Sequence, residues 1–238
     1  MRNLSVFAAG SLRIVWPELM SLFMQQSGHT VTTDYGPAGL LLQRIEQGEP
    51  CHLFASANSA HPQKLLDTGR ALATSVFTHN SLCLSINPTL AAEKREWLDM
   101  LLDPTLRVAT STPLSDPSGD YAWQLFGLIE AASPTKGEEL KRRAMPLVGG
   151  PESPAVPAGS MAASWLLESG QADLFIGYQS YSPLLKAEGK VVTLTLPAPW
   201  QIQADYAFAV CSKEAEALGE FLLTKAAQTI FYRAGFSR

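Results

Sequence analysis

Two kinds of segment alternate along the chain. One is a short run of apolar residues, and the other is a longer stretch in which apolar residues recur at helical spacing among polar ones. Residues 4–7 form an apolar run typical of a buried strand, and residues 12–26 carry apolar side chains at helical spacing. The same alternation predicts further strands at 30–35, 52–56, 107–109, 173–178, 191–196 and 206–211. It predicts further helices after Gly39, at 62–66, 119–130 and 160–168, and from residue 213 onward. It favours an α/β fold in which a mostly parallel sheet carries helices on both faces.

No segment of the chain has the composition of a flexible linker. The segment 149–159 is rich in proline and glycine, which predicts a rigid loop. We therefore expect two lobes that share crossover strands, with 81–86 and 206–211 as the candidate hinge.

Four predicted turns carry the candidate chemistry. In each, small residues stand just where a helix is expected to begin, so that free backbone N–H groups and the positive end of the helix dipole form a potential anion site. These turns contain Ser11, Ala38, Ser118 and Ser160. The three serines add a hydroxyl donor, whereas Ala38 supplies only N–H groups, and Gly10 and Gly39 are secondary candidates because glycine lets the backbone approach a ligand closely.

Each of these turns also has a purely structural interpretation. Ser11 is a plausible helix N-cap, the glycines around Ala38 suit a tight turn, and Asp116 is able to cap the helix that begins beside Ser118. Tyr178 ends an apolar strand, where ligands of open α/β sheets bind, but a tyrosine at the rim of the core fits there equally well.

Composition narrows the class of protein. The chain has 238 residues, 46% hydrophobic content and a net charge of -4, which is typical of a globular protein and argues against a nucleic-acid partner. No apolar run approaches the roughly 20 residues that span a bilayer. The first strand begins almost at Met1, which leaves no room for a secretory signal, so we expect either a cytoplasmic protein or a mature segment that restarts with methionine.

The remaining reactive residue types form no recognisable catalytic pattern. The chain has no GxSxG, Walker or GxGxxG motif and its four histidines are scattered, so we do not expect an enzyme. Cys51, Cys83 and Cys211 are too far apart in sequence for a zinc motif or a disulfide scaffold. We expect them to be small buried hydrophobic residues, with their redox state left open.

Seven motifs in order along the chain resemble one family. FAAGSL, YGPAG, LFASAN, VFTHNSL, DPSGDYA, ADLFIGY and GFSR are similar to segments of the molybdate- and tungstate-binding proteins that feed ABC importers. The resemblance implies a type II periplasmic-binding-protein fold with two lobes, 1–82 plus 207–238 and 83–206, joined by two crossover strands. It also implies that an oxyanion is enclosed between the lobes.

The resemblance assigns the oxyanion-binding role to the same positions that the turns indicated: Ser11, Ala38, Ser118, Ser160 and Tyr178. It implies a monomeric periplasmic protein that delivers its anion to a membrane permease, without a cofactor and without inserting into the membrane. Two positions depart from the family pattern. Ala38 stands where a serine is usual, and His52 stands where an aspartate is common.

Other interpretations stay open from the sequence. Sulfate shares the charge and shape of molybdate, and phosphate would fit if Asp116 or Asp120 accepted its proton. A hard cation such as ferric iron would need Tyr178 and Tyr181 as ligands. A cytoplasmic ligand-sensing domain is a further alternative.

Overall fold

The computed structural model describes residues 3–237, and the chain divides into two compact units. Unit 1 is formed by Met1–Asn80 together with Ala204–Arg238, and unit 2 is formed by Ser81–Gln203. The chain therefore leaves unit 1 once and returns to it once. The strands β1 to β9 are Asn3–Ala9, Thr30–Gly36, Leu53–Ser56, Ala73–Ile86, Val108–Ser111, Met145–Val148, Leu174–Tyr178, Val192–Thr195 and Gln203–Val210.

Eleven α-helices lie within the described part of the chain. In order, α1 to α11 are Trp16–Ser27, Ala38–Glu46, Ala60–Asp67, Pro88–Ala92, Trp97–Leu102, Pro117–Ala132, Lys136–Arg143, Ala162–Glu168, Ser182–Glu188, Glu216–Leu222 and Lys225–Arg233. Short 3-10 helices occupy Gly10–Ile14, Gln179–Tyr181, Ala198–Trp200 and Lys213–Ala215.

The sheet of unit 1 is built around β1. This strand pairs in parallel with β2 and with β3, through Ala9↔Gly36 and Ala8↔Ala55 among other pairs. On its far side β3 pairs antiparallel with β9, and β9 neighbours β4. Because β1, β2 and β3 run in the same direction, their carboxyl ends meet at one edge of the sheet.

Unit 2 repeats this design with different strands. Here β5 pairs in parallel with β6 and with β7, and β4 pairs antiparallel with β7 and with β8. The carboxyl ends of β5, β6 and β7 therefore also share an edge, where Ser111 lies opposite Val148. Both β4 and β9 cross the boundary between the units along the chain, so the crossover strands expected at 81–86 and 206–211 belong to longer strands.

Two predicted helix starts were wrong, for identifiable reasons. The helix expected over 12–26 begins only at Trp16, because Pro17 has no N–H to donate and tolerates only the first turn of a helix. The helix expected from residue 160 begins at Ala162. Gly159 has a positive φ of 78° and the Ser160 N–H donates to Pro157 O at 3.0 Å, so this segment is a turn.

An aromatic cluster lies in the core of unit 1 and includes residues of the two crossover strands, β4 and β9. Phe77 lies at its centre, with ring centroids 5.3 Å from Phe231, 6.4 Å from Tyr206 and 6.5 Å from Trp16. The Tyr206 ring also packs edge-on against Phe236 at 5.5 Å. Edge-to-face pairs at these distances stabilise a core by about 0.5–1.5 kcal/mol each beyond their buried area. The cluster thereby holds the Tyr206 ring in one position.

Two glycines on neighbouring helices of unit 2 allow a matched test of packing. A Cβ at Gly137 of α7 would lie 2.1 Å from the Phe126 carbonyl oxygen of α6, whereas a Cβ at Gly127 of α6 meets nothing within 4 Å. We expect Gly137→Ala to lower the free energy of unfolding by about 1–3 kcal/mol through overpacking. Gly127→Ala should raise it by about 0.5–1 kcal/mol, since alanine favours helix. Urea unfolding of both variants checks this, and equal effects would contradict the packing described for α6 and α7.

Candidate oxyanion-binding site

Two of the four predicted turns are neighbours in unit 1. Ala9 pairs with Gly36 at the ends of β1 and β2, and a Cβ built at Gly10 would lie 3.8 Å from the Gly36 carbonyl oxygen. The Ser11 turn, which opens a 3-10 helix, therefore lies beside the turn that opens α2 at Ala38. The structure thus brings Ser11 and Ala38 to one edge of the sheet.

The backbone at the start of α2 offers donors that no N-cap side chain uses. The first i→i−4 bond of this helix runs from the Leu41 N–H to Pro37 O at 3.0 Å, so the N–H groups of Ala38, Gly39 and Leu40 precede it. The N-cap residue is Pro37, which has no side-chain oxygen to accept from them. Ala38 itself is 1% exposed. The turn is suited to a ligand that accepts hydrogen bonds from the backbone.

The Ser11 hydroxyl takes part in a chain of hydrogen bonds that reaches the core of unit 1. Asn80 Nδ2 lies 3.4 Å from Tyr206 OH, and Tyr206 OH lies 2.8 Å from Ser11 Oγ. An amide nitrogen only donates, so Tyr206 OH accepts from Asn80. Either hydroxyl can donate in the bond between Tyr206 and Ser11, and when Tyr206 donates, the Ser11 proton is available to a ligand. We call Asn80, Tyr206 and Ser11 the donor chain.

A third turn lies at the same edge of unit 1 and was missed by the pattern of helix starts. β3 ends at Ser56, and Ala57 and Asn58 follow before α3. Asn58 Oδ1 accepts from the His61 N–H at 3.0 Å, and Ser56 Oγ accepts from the Asn58 N–H at 3.3 Å. The motif LFASAN contains this turn, and its small residues after an apolar strand were the signal that was available.

In unit 2, Ser118 is the second residue of α6. Asp116 caps this helix, since its Oδ1 accepts from the Ser118 N–H at 3.1 Å, which is the structural alternative that the sequence left open. The Ser118 N–H is thus engaged, and its hydroxyl is the group that could serve a ligand. Gly119 allows the close approach of α6 to the end of β5, because a Cβ there would lie 2.6 Å from Ser111 O and from the backbone of Thr112 and Pro113.

Tyr178 is the last residue of β7 and lies beside the beginning of α6. Its ring centroid is 6.4 Å from that of Tyr121, with the rings inclined by 69°. Tyr121 stands one turn after Ser118 on the same helix face. Unit 2 therefore places Ser118 and Tyr178 at one edge of its sheet, while the side chain of Tyr178 is only 4% exposed.

Ser160 differs from the other predicted site residues. It is exposed and lies before α8, and its N–H is already engaged with Pro157 O at 3.0 Å. Its predicted place at a helix N-terminus was therefore wrong. Its hydroxyl remains a candidate donor.

Comparison with known proteins identifies the family. The family model described as bacterial extracellular solute-binding protein matches residues 4–237. The chain belongs to this family.

Two relatives show how the family is represented among known sequences. An uncharacterized protein of Pasteurella multocida is 41% identical over 92% of this chain and 91% of its own length. The molybdate-binding protein ModA of Rhodobacter capsulatus is 35% identical over 49% of this chain and 48% of its own length.

Solved structures of solute-binding proteins share the fold across nearly the whole chain. The sulfate-binding protein SubI of Mycobacterium tuberculosis matches with a TM-score of 0.79 and 20% identity, over 99% of this chain and 86% of that one. The periplasmic molybdate-binding protein of Azotobacter vinelandii matches with a TM-score of 0.75 and 22% identity, over 99% of both chains. These matches confirm the predicted type II periplasmic-binding-protein fold.

Members of this family are solute-binding proteins of transport systems and not enzymes. Among residues 3–237 no helix has the length and apolar character needed to cross a bilayer. Within the same range no three His, Cys, Asp or Glu side chains cluster in a way that could hold a metal ion.

His52, which departs from the family pattern implied by the resemblance, has a structural role here. The Ser5 N–H donates to His52 Nδ1 at 2.9 Å, and the His52 N–H donates to Ser5 O at 2.8 Å. The imidazole thus accepts a backbone hydrogen bond, as a carboxylate would. It ties the segment before β3 to β1.

Asp116 gives unit 2 a measurable pH dependence. Burial raises the pKa of its carboxyl to about 6, from an ordinary value of 3.8. Because folding raises this pKa, the ionised carboxylate lowers the stability at neutral pH, and this cost vanishes as the pH falls below about 4. Asp116→Asn keeps an oxygen that accepts from the Ser118 N–H. We expect it to raise the free energy of unfolding by about 1–3 kcal/mol at pH 7.

The control for this prediction is the same pair of proteins at pH 3.5, where the aspartate is protonated. Urea unfolding should give parent and variant nearly equal stability there. A difference that is the same at both pH values would contradict the assignment of the titration to Asp116.

Proposed function

We propose that this protein binds a tetrahedral oxyanion, molybdate or tungstate, and delivers it to a membrane ABC importer. The observation that carries the proposal is the donor chain beside the uncapped start of α2. It holds the Ser11 hydroxyl at the edge where the N–H groups of Ala38 and Gly39 lie, and with Tyr206 as the donor in that chain Ser11 can donate to an anion. Gly10 lies at the same edge, beside Gly36.

Neutral donors are sufficient to hold a dianion. Hydrogen bonds to a charged group contribute about 1.5–3 kcal/mol each, and helix N-termini add a favourable dipole. Several such bonds, less the cost of association, correspond to dissociation constants in the micromolar range or below. On unit 2 the proposed donors are the hydroxyls of Ser118, Ser160 and Tyr178.

Phosphate is the less suitable anion for this donor set. At neutral pH it carries a proton, which needs an acceptor in the site. The carboxylates near Ser118 have structural partners: Asp116 accepts from the Ser118 N–H and from the Ser111 hydroxyl, and Asp120 accepts from the Leu114 N–H at 2.8 Å. This arrangement favours fully ionised anions such as molybdate, tungstate and sulfate.

The known relatives support the same class of ligand. The ModA proteins of Rhodobacter capsulatus, Azotobacter vinelandii and Escherichia coli are molybdate-binding proteins, and SubI is a sulfate-binding protein. An iron-bound HitA of Pseudomonas aeruginosa also shares the fold, with a TM-score of 0.69 and 18% identity over 98% of this chain and 85% of that one. Sulfate is accordingly the second candidate and ferric iron the third. We further propose that the protein acts outside the cytoplasm as a monomer.

Calorimetric titration of the full chain tests the ligand class directly. We expect heat and 1:1 binding with molybdate and tungstate, weaker binding of sulfate and the least with phosphate. Ser11→Ala should weaken molybdate binding about 10- to 100-fold, since a hydrogen bond to a charged group is lost, and Tyr178→Phe should do the same. Both variants should stay folded without ligand, with a single cooperative thermal transition. Tight binding of ferric citrate with no heat from any oxyanion would overturn the proposal.

A second prediction concerns Tyr206 as a positioning residue. Tyr206→Phe keeps the ring in the aromatic cluster but removes the hydroxyl that is hydrogen-bonded to Ser11, so we expect molybdate affinity to fall about 2- to 10-fold. Tyr232→Phe is the matched control, because that side chain is 72% exposed. In a Ser11→Ala background the effect of Tyr206→Phe should disappear, which calorimetry of the double variant measures. An undiminished effect in that background would contradict the donor chain.

A further inference from the structure

Two of the three cysteines lie together at one end of the β3–β9 pairing. The last described pair of this ladder is Leu53↔Val210, and beyond it the Cys211 N–H donates to His52 O at 2.8 Å. Cys51 stands two residues before β3 and Cys211 directly after β9, so both lie at this end of the pairing although they are far apart in the sequence. The prediction that all three cysteines are buried was wrong for these two, which are partly exposed, and right for Cys83.

The two thiols also interact with each other. A hydrogen bond between them lowers the pKa of Cys211 and raises that of Cys51. Each sulfur in addition approaches a carbonyl of its own strand, with Cys51 Sγ 3.2 Å from Leu53 O and Cys211 Sγ 3.8 Å from Ala209 O. The contact between the thiols, together with the backbone bond from Cys211 to His52, the residue next to Cys51, makes this pair the candidate for a disulfide.

We propose that Cys51 and Cys211 form an intramolecular disulfide in the mature protein. Both are thiols in the structure, and the bridge requires a disulfide oxidant such as oxidised glutathione or a disulfide exchange protein. The family is extracellular, and disulfides form and persist in that environment. The proposal is independent of which ligand the protein binds.

The exchange takes place in two steps. The Cys211 thiolate attacks the oxidant disulfide, and one thiolate of the oxidant leaves, which gives a mixed disulfide on Cys211. Cys51 then loses its proton and attacks Cys211 Sγ, which expels the second thiolate. In total two protein thiols become one disulfide, and one oxidant disulfide becomes two thiols.

The position of the bridge determines its effect. It would close a loop from residue 51 to residue 211 that contains all of unit 2, and long closed loops remove the most entropy from the unfolded chain. It would also join the start of β3 to the end of β9, one of the two strands that cross the unit boundary. The oxidised form should therefore unfold at a temperature about 5–15 °C above the reduced form.

The test uses the full chain, first reduced and then equilibrated with excess oxidised glutathione. Thiol titration in denaturant should give three thiols per chain before oxidation and one afterwards. Peptide mapping should find the peptides of Cys51 and Cys211 linked to each other. The melting temperature of the parent should rise on oxidation, and the same rise should occur in Cys83→Ala.

Two variants complete the design. Cys51→Ser and Cys211→Ser should each lose the redox-dependent shift in melting temperature. If either variant fails to fold, the reduced and oxidised forms of the parent protein still test the proposal. Three thiols after equilibration, a bridge that involves Cys83, glutathione adducts without an internal bridge, or a linked dimer would each overturn the proposal.

Discussion

The parallel pairing of β1 with β2 is the constraint on which the candidate site of unit 1 depends. Parallel strands end at the same edge of a sheet, so the Ala9↔Gly36 pair brings two helix starts side by side. Each start has backbone N–H groups without intrahelical partners, and those donors must be satisfied by water or by a ligand. The concentration of donors at this edge is thus a consequence of strand direction. Unit 2 obeys the same rule at the end of β5, where α6 begins beside Tyr178.

Tyr206 connects this edge to the core. Its ring is fixed by packing against Phe77 and Phe236, and its hydroxyl reaches Ser11. A buried phenol needs a hydrogen-bond partner, and Tyr206 OH accepts from the Asn80 amide and bonds to Ser11. Hydrophobic packing on one side of the tyrosine thereby fixes the position of the hydroxyl that contacts Ser11 on the other side. Asn80 and Tyr206 lie on β4 and β9, which cross the unit boundary, so a ligand on Ser11 would contact the network of the crossover strands.

Local sequence patterns predicted the parts of the site that depend on local structure. The turns at Ser11, Ala38 and Ser118 were found because a strand that ends in small residues before a helix is visible within about ten residues. The late start of α1 was also encoded locally, in Pro17, and was missed. The bond between Ser11 and Tyr206, by contrast, joins residues separated by 195 positions, and only strand pairing brings them together. The contact between Cys51 and Cys211 was invisible for the same reason, and Ser160 was misplaced because a turn of the loop resembles a helix start.

The division between backbone and side-chain donors explains how one fold serves different ligands. N–H groups at a strand–helix turn are present whatever the side chains are. An alanine at position 38, where the family that the chain resembles has a serine, therefore lacks one hydroxyl but keeps the backbone N–H groups. In the site that we propose, preference among anions would come from side chains such as Ser11, Ser118 and Tyr178 and from acceptors such as Asp116. In this chain the Asp116 carboxylate is committed to capping α6. A carboxylate that already accepts hydrogen bonds from the protein has less capacity to accept from a protonated phosphate, and this is the basis on which we propose an anion that carries no proton.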